Sequence, residues 1–225
     1  MKKFKGCHFP DEVVLMAMRW YLSYSLSYRD IEELMEERGV YLDHATPNRW
    51  VCKFSPGLVE EFRQYKRPVG KSWRMDETYI EVKGEWVYYY RAVDKQGNTI
   101  DFYLSRLRDT AAAKAFFDKA IGSSGIPEKV NIDKSGANLA GLTEVNNELS
   151  KWQRILIRQI KYLNNMVEQD HRAVKRITKP MMGFKSFASA AATLAGIELC
   201  HMMHKGQSMI NKHLPVWKQF YVLFS

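Results

Sequence analysis

The chain has 225 residues, 34 Lys+Arg against 25 Asp+Glu, and a net charge of +9. With 46% hydrophobic and 26% charged residues it has the composition of a globular protein, which excludes a disordered tail, a collagen-like repeat and a disulfide scaffold. No apolar run approaches the roughly 18 residues of a membrane span, Asp11 and Glu12 interrupt the basic N-terminus before a leader could develop, and Cys7, Cys52 and Cys200 are scattered without a C-x-x-C, as expected of a reduced cytoplasmic chain without structural zinc.

The positive charge is concentrated. Residues 1–60 carry 8 basic and 9 acidic groups, residues 61–149 carry 14 and 13, and residues 150–225 carry 12 and 3. Clustered cations on the last third suggest a polyanionic partner, because neutralised phosphates release counterions. A generally basic surface is the plainer alternative.

Three sections follow in chain order. Residues 1–65 are expected to be helical. Pro10, Asp11 and Glu12 suit a first helical turn, and Val13, Ala17, Trp20 and Tyr24 recur at helical spacing. Ser27-Tyr28-Arg29-Asp30 is close to a capping box, Gly39 suits the end of a second helix, and Asp43 suits the N-cap of a third, which Ser55-Pro56-Gly57 is expected to close. Two short helices around a Gly-containing turn read as a helix-turn-helix, whose second helix would present His44, Thr46, Asn48 and Arg49 to DNA while Trp50, Val51 and Phe54 pack inward. A plain three-helix packing unit is the alternative, and the local net charge of −1 favours it. Pro47 falls inside the expected third helix, where an interior proline costs on the order of 3 kcal/mol, less near the first turn.

From residue 66 the period changes. Strands are expected at 72–82, 86–93 and 99–105, joined by turns at Lys83-Gly84-Glu85 and Lys95-Gln96-Gly97-Asn98 as an antiparallel meander. A helix at 109–121, a short strand at 129–133, a helix near 138–149 and a strand near 154–160 imply a mixed sheet flanked by helices. Helices at 164–178 and 186–204 follow, and the tail after Gln207 has no assignment.

Asp76 lies within the first strand, Asp133 at the end of the fourth, and Glu168 on the helix after the fifth. A carboxylate in a buried strand is costly unless its desolvation is offset. A divalent hard cation such as Mg²⁺ would do so, and two such ions would serve an in-line phosphoryl transfer. Glu168, Arg172, Lys175 and Lys179 recur at intervals of 4, 3 and 4, placing a metal ligand and a row of cations on one helical face. Each has an ordinary alternative: a gatekeeper for Asp76, a turn former or N-cap for Asp133, a helical salt bridge for Glu168–Arg172. Glu77 is the rival to Asp76, but adjacent strand residues face opposite ways.

Taken together, Trp73-Arg74-Met75-Asp76-Glu77-Thr78-Tyr79, Tyr90-Arg91-Ala92-Val93-Asp94, Asn131-Ile132-Asp133-Lys134, Arg158-Gln159-Ile160-Lys161-Tyr162-Leu163-Asn164-Asn165, Glu168-Gln169-Asp170-His171, Gly183-Phe184-Lys185-Ser186-Phe187 and Lys205-Gly206-Gln207 resemble the DDE transposases of insertion-sequence family six. The resemblance spans residues 4–207, with the 34 residues between Asp133 and Glu168 that the family uses, and Lys175 at the place of its basic residue. Pro47 departs from it, since the family carries a branched apolar residue there.

The resemblance implies an α/β fold, an RNase H-like mixed five-stranded sheet flanked by helices, preceded by a helix-turn-helix domain. The expected boundaries are 1–65, 66–207 for the DDE catalytic domain, and 208–225 unassigned. It further implies that Asp76, Asp133 and Glu168 hold Mg²⁺, with Mn²⁺ as the alternative ion. The partners would be terminal inverted repeats and target DNA, bound by a homo-oligomer assembled on DNA in the bacterial cytoplasm at the nucleoid, with no membrane. The reaction would be 3′-end cleavage and strand transfer by a replicative, cointegrate-forming route. No G-x-x-x-x-G-K-S/T loop is present, so no nucleotide cofactor is expected. Cys200 with His201 and His204 reads as a helix face, and Tyr88-Tyr89-Tyr90 as core strand. The rival functions are a catalytically inactive transposase-derived DNA-binding protein and a structure-selective nuclease of the same fold.

Overall fold

A computed structural model describes residues 4–160 and 164–224. The chain forms two compact units, one built from Met1–Arg67 with Val174–Ser225 and one from Pro68–Ala173.

The first unit is helical: α1 (Asp11–Ser23), α2 (Tyr28–Glu36), α3 (Ala45–Arg63), α7 (Phe187–His204) and α8 (Val216–Phe224). Helix α7 is its centre, with residues buried around its whole circumference from Ala190 to Met203. Its Gly196 must stay bare, because an added Cβ would lie 2.7 Å from Leu22 of α1 and from Ser55 Oγ of α3. Helix α2 starts on a capping box: Ser27 Oγ accepts from Asp30 N at 3.2 Å and Asp30 Oδ2 accepts from Ser27 N at 2.6 Å. Gly39, at φ +71°, follows its end.

Helix α3 departs from expectation in three places. It begins at Ala45 with His44, not Asp43, at the cap. Pro47 therefore sits in the first turn, where its missing N–H had no intrahelical acceptor, and it is buried. Ser55-Pro56-Gly57 does not end the helix, which runs to Arg63 across Pro56. Val51, Ser55, Leu58, Val59 and Phe62 continue one buried stripe through the proline. Burial of Leu58, Val59 and Phe62, at about 1.5–3 kcal/mol each, outweighs one lost backbone bond. The tail left unassigned by sequence forms α8, whose Phe220 and Phe224 are buried.

The second unit contains β1 (Ser72–Val82), β2 (Glu85–Asp94), β3 (Thr99–Ser105), α4 (Thr110–Ser124), β4 (Lys129–Ile132), α5 (Gly136–Glu148) and β5 (Leu156–Gln159). Helix α6 (Asn165–Thr178) starts in this unit, and its last turn clusters with the helical one. The segment from Val174 onward clusters with residues 1–67. The strand order is β3-β2-β1-β4-β5, antiparallel through β1–β2–β3 and parallel through β1–β4–β5. Lys83 and Gly84, both at positive φ (53° and 78°), form the two-residue β1–β2 turn. One sheet face packs Trp73, Met75, Val130 and Ile132 against Ala113, Phe116 and Phe117 of α4 and Leu142 of α5. A Cβ on Gly141 of α5 would lie 2.8 Å from Ala113 and from the backbone of Lys114, so α4 and α5 cross closely only because that position is glycine.

Candidate active site

Alternation along β1 decides which side chains meet. Trp73 and Met75 point into the α4–α5 core, so Arg74 and Asp76 point to the opposite face. The same rule on β4 sends Val130 and Ile132 into the core and Asn131 the other way. β1 and β4 run parallel with Arg74 beside Asn131. Asp76 lies two residues beyond Arg74 on β1, and Asp133 follows Ile132, the last residue of β4.

Helix α6 covers this face. His171 Nε2 lies 3.5 Å from Asp76 Oδ2, with the His171 side chain 6% exposed. Arg91, fully buried on β2, pairs through NH2 with Asp170 Oδ2 at 2.9 Å. A pair of amides joins the three elements that carry the acids. Asn131 Nδ2 donates to Asn164 Oδ1 at 2.6 Å and to the Ile160 carbonyl at 3.0 Å. Asn164 Nδ2 donates to the Met75 carbonyl at 3.2 Å. Met75 precedes Asp76, Asn131 is two residues before Asp133, and Asn164 is four before Glu168. Sequence reasoning missed this pairing, since asparagines carry no hydrophobic or charge signal.

Glu168 stands in the first turn of α6, exposed, and makes no ion pair with Arg172 or any other described residue. The ordinary helical salt bridge considered for it is not formed. Arg172, Lys175 and Lys179 are exposed, the first two on α6 and Lys179 in the short 3-10 turn that follows. Asp133 is partly buried and does not cap α5, whose N-cap is Ser135; it accepts instead from Ser135 N at 3.0 Å.

Glu77 plays a larger part than expected. It points to the face opposite Asp76, yet it is tied to Asp133. Asn138 Nδ2 donates to Glu77 Oε2 at 2.8 Å and to Asp133 Oδ1 at 3.1 Å. The Arg108 guanidinium pairs with Glu77 and lies 3.6 Å from Asp133 Oδ2. Burial pushes the Glu77 carboxyl above its usual range; Asn138 and Arg108 oppose this, and Asp133 and Asp76 add to it.

Among the described residues no three His, Cys, Asp or Glu side chains stand close enough to hold a metal ion at once. The donor set nonetheless suits a hard divalent cation: the carboxylates of Asp76 on β1 and Asp133 just after β4, and on α6 that of Glu168, which has no partner among the described residues.

In the helical unit, His44 Nδ1 lies 3.1 Å from Asp43 and 3.8 Å from Glu32. Arg49 pairs with Asp43 at 3.1 Å and donates to Thr46 Oγ1 at 2.7 Å. Asn48 donates its amide to the Tyr28 hydroxyl and accepts from Cys52 Sγ at 3.6 Å.

A family model described as a DDE domain matches residues 70–207. The transposase for insertion sequence-like element IS431mec of Staphylococcus aureus is 38% identical over 206 residues, covering 91% of this chain and 90% of its own. The transposase of IS257 in transposon Tn4003, also from Staphylococcus aureus, matches to the same extent. The chain belongs to the DDE transposases of insertion-sequence family six. Among solved structures, the catalytic core domain of BIV integrase is 19% identical with a TM-score of 0.45, covering 58% of this chain and 83% of that one. The HTLV-2 integrase catalytic core domain is 16% identical with a TM-score of 0.41, covering 70% and 84%. The five-stranded sheet thus lies within the DDE domain of a transposase, a polynucleotidyl transferase. Among the described residues no helix is long and apolar enough to cross a membrane.

Proposed function

We propose that the chain binds the terminal inverted repeats of its insertion sequence, exposes their 3′ ends and joins them to target DNA, with Asp76, Asp133 and Glu168 holding Mg²⁺. The observation that carries this reading is the register of β1 and β4. It sends Asp76 to the face that α6, bearing Glu168, meets through the His171–Asp76 contact, with Asp133 directly after the neighbouring strand β4. When bound, the metal would activate the attacking oxygen and stabilise the leaving one at the scissile phosphate. The protein's own part is positional. The Asn131–Asn164 pair holds β1, β4 and α6 in mutual register. Asn138 and Arg108 hold Asp133. Glu168, without a partner among the described residues, is available to the ion.

On this reading Arg172, Lys175 and Lys179 contact the phosphodiester backbone. Helices α2 and α3 act as a helix-turn-helix in which His44, Thr46 and Arg49 reach the DNA after exchanging Asp43 and Glu32 for phosphates. Asn48 would have to leave Tyr28 to join them. The working form is a homo-oligomer bringing two element ends together in the cytoplasm, and the products are replicative cointegrates.

The test is strand transfer with a duplex carrying the element's end, in Mg²⁺ and in EDTA. Wild type should give joined product that EDTA abolishes. Asp76→Asn should lose at least a hundredfold in strand transfer while retaining DNA binding. Joined product from Asp76→Asn would remove the catalytic assignment, and cutting without joining would favour a nuclease.

A further inference from the structure

The segment leading into β5 carries surface features that the catalytic reading leaves unused. Trp152, in the 3-10 turn Lys151–Gln153, is 98% exposed, and Leu156 is 53% exposed. Around them Lys151, Arg154 and Arg158 are all exposed. None of these three cations forms an ion pair with a described residue, although acids are near: Glu148, close in sequence, is taken by Lys114 at 3.1 Å, and Glu128, whose carbonyl accepts from Leu156 N, pairs with none of them. Between Glu148 and Glu168 the chain has four basic residues and no acidic one. β5 is the edge of the sheet, hydrogen-bonded to β4 alone among the described strands. An indole left wholly in water among unpaired cations is poorly explained by folding, since it contributes no burial. It matches the pairing of aromatic face and positive charge that binds nucleic-acid strands.

We propose that the β5 edge, through Trp152, Lys151, Arg154 and Arg158, is a contact for the DNA strand next to the reacting phosphate, with Trp152 stacking on an unpaired base. This rests on the transposase reading and adds to it a location. β5 ends at Gln159, which pairs in register with Ile132 and whose Nε2 lies 3.5 Å from the Asp133 carbonyl. Trp152 is seven residues back along the chain. Seven residues span at most about 25 Å, or about seven nucleotides at roughly 3.4 Å per step. The stacked base therefore lies within about seven nucleotides of the reacting phosphate.

The experiment is equilibrium binding without metal, using a duplex of the element end with a single-stranded flank and 2-aminopurine placed at successive positions. In wild type, fluorescence should change at a position within about seven nucleotides of the cleavage point. In Trp152→Ala that change should vanish, with affinity for the tailed DNA falling about five- to a hundredfold. Arg154→Ala with Arg158→Ala should lower the log–log salt slope by about 1.4–1.8, while Lys83→Ala with Lys95→Ala should leave it unchanged. Circular dichroism should report native folds, since all substituted residues are exposed. Unchanged affinity, slope and fluorescence in folded variants would overturn the proposal. So would loss of self-association in Trp152→Ala with DNA binding intact, which would make the strip a face between copies. If wild type binds no element-end DNA, this contact and the proposed function both fall; if it binds and joins DNA but the variants match it, only this contact falls.

Discussion

Removing Asp170 should damage the catalytic unit far more than an ordinary acidic substitution. The Arg91 guanidinium has no solvent exposure, and the carboxylate 2.9 Å from it is 13% exposed. Asp170→Ala leaves that cation buried beside a methyl group. Losing one partner of a buried pair costs about 3–5 kcal/mol. The unit from Pro68 to Ala173 would have a total stability of roughly 5–15 kcal/mol. A loss of about 3 kcal/mol would lower its melting temperature by about 12 °C or more. Replacing both partners by apolar residues, Arg91→Met with Asp170→Leu, should recover most of this or exceed wild type by about 1–4 kcal/mol, because it also removes the cost of desolvating two charges. Urea unfolding of wild type, each single variant and the double variant, followed by near-ultraviolet dichroism, gives the coupling energy directly. If Asp170→Ala costs under about 1 kcal/mol, water reaches Arg91 and the pair does not anchor α6.

Asn164→Leu removes the acceptor of Asn131 and the donor to the Met75 carbonyl; with buried polar groups left unsatisfied it should cost about 2–4 kcal/mol and weaken Mn²⁺ binding measured by electron paramagnetic resonance, whereas a loss within about 0.5 kcal/mol would show that the amides do not hold the three elements. Glu77 has a raised carboxyl pKa, chiefly through burial. The folded state therefore keeps its proton longer than the unfolded state, and stability falls as pH rises from the ordinary value of 4.5 through the raised one. Melting curves between about pH 4 and 8 should show this decline in wild type and a shallower one in Glu77→Gln; parallel profiles would remove Glu77 from the balance. Burial pushes the Cys200 thiol up to about 11, so a thiol reagent at neutral pH should modify it only on unfolding, after the half-buried Cys7 and Cys52; equal rates would mean that α7 opens readily.

Much of the sheet was legible because its signals are local. β1 and β3 occupy the expected spans of 72–82 and 99–105, since alternation and turn residues mark both ends. The Ser27–Asp30 capping box was readable for the same reason. What failed depends on partners remote in sequence. Pro56 looks like a helix end until Leu58, Val59 and Phe62 are seen to be buried. The proposal of Asp76, Asp133 and Glu168 rests on position and family resemblance. The amides of Asn131 and Asn164 were not legible, because a hydrogen bond across 33 residues has no periodicity.

Glu77 shows how strand alternation divides labour between adjacent acids. Two neighbouring carboxylates on one strand cannot reach the same face, so Asp76 is left toward α6 and Glu77 is sent toward α5. There Glu77 meets Asn138 and Arg108, both of which also touch Asp133. A divalent ion held as proposed by Asp76 and Asp133 would repel Arg108. Glu77, on the other side and buried, would then keep Arg108 from being driven out and keep Asn138 aimed at Asp133. In that arrangement the charge of the ion would be balanced against the charges around Glu77, with Asp133 touching both Asn138 and Arg108. Exchanging the residues at positions 76 and 77 would place a carboxylate on each face as before. The acid facing α6 would then be one methylene longer and the acid facing Asn138 one methylene shorter, so both sets of contacts would be lost together although composition and net charge stay the same.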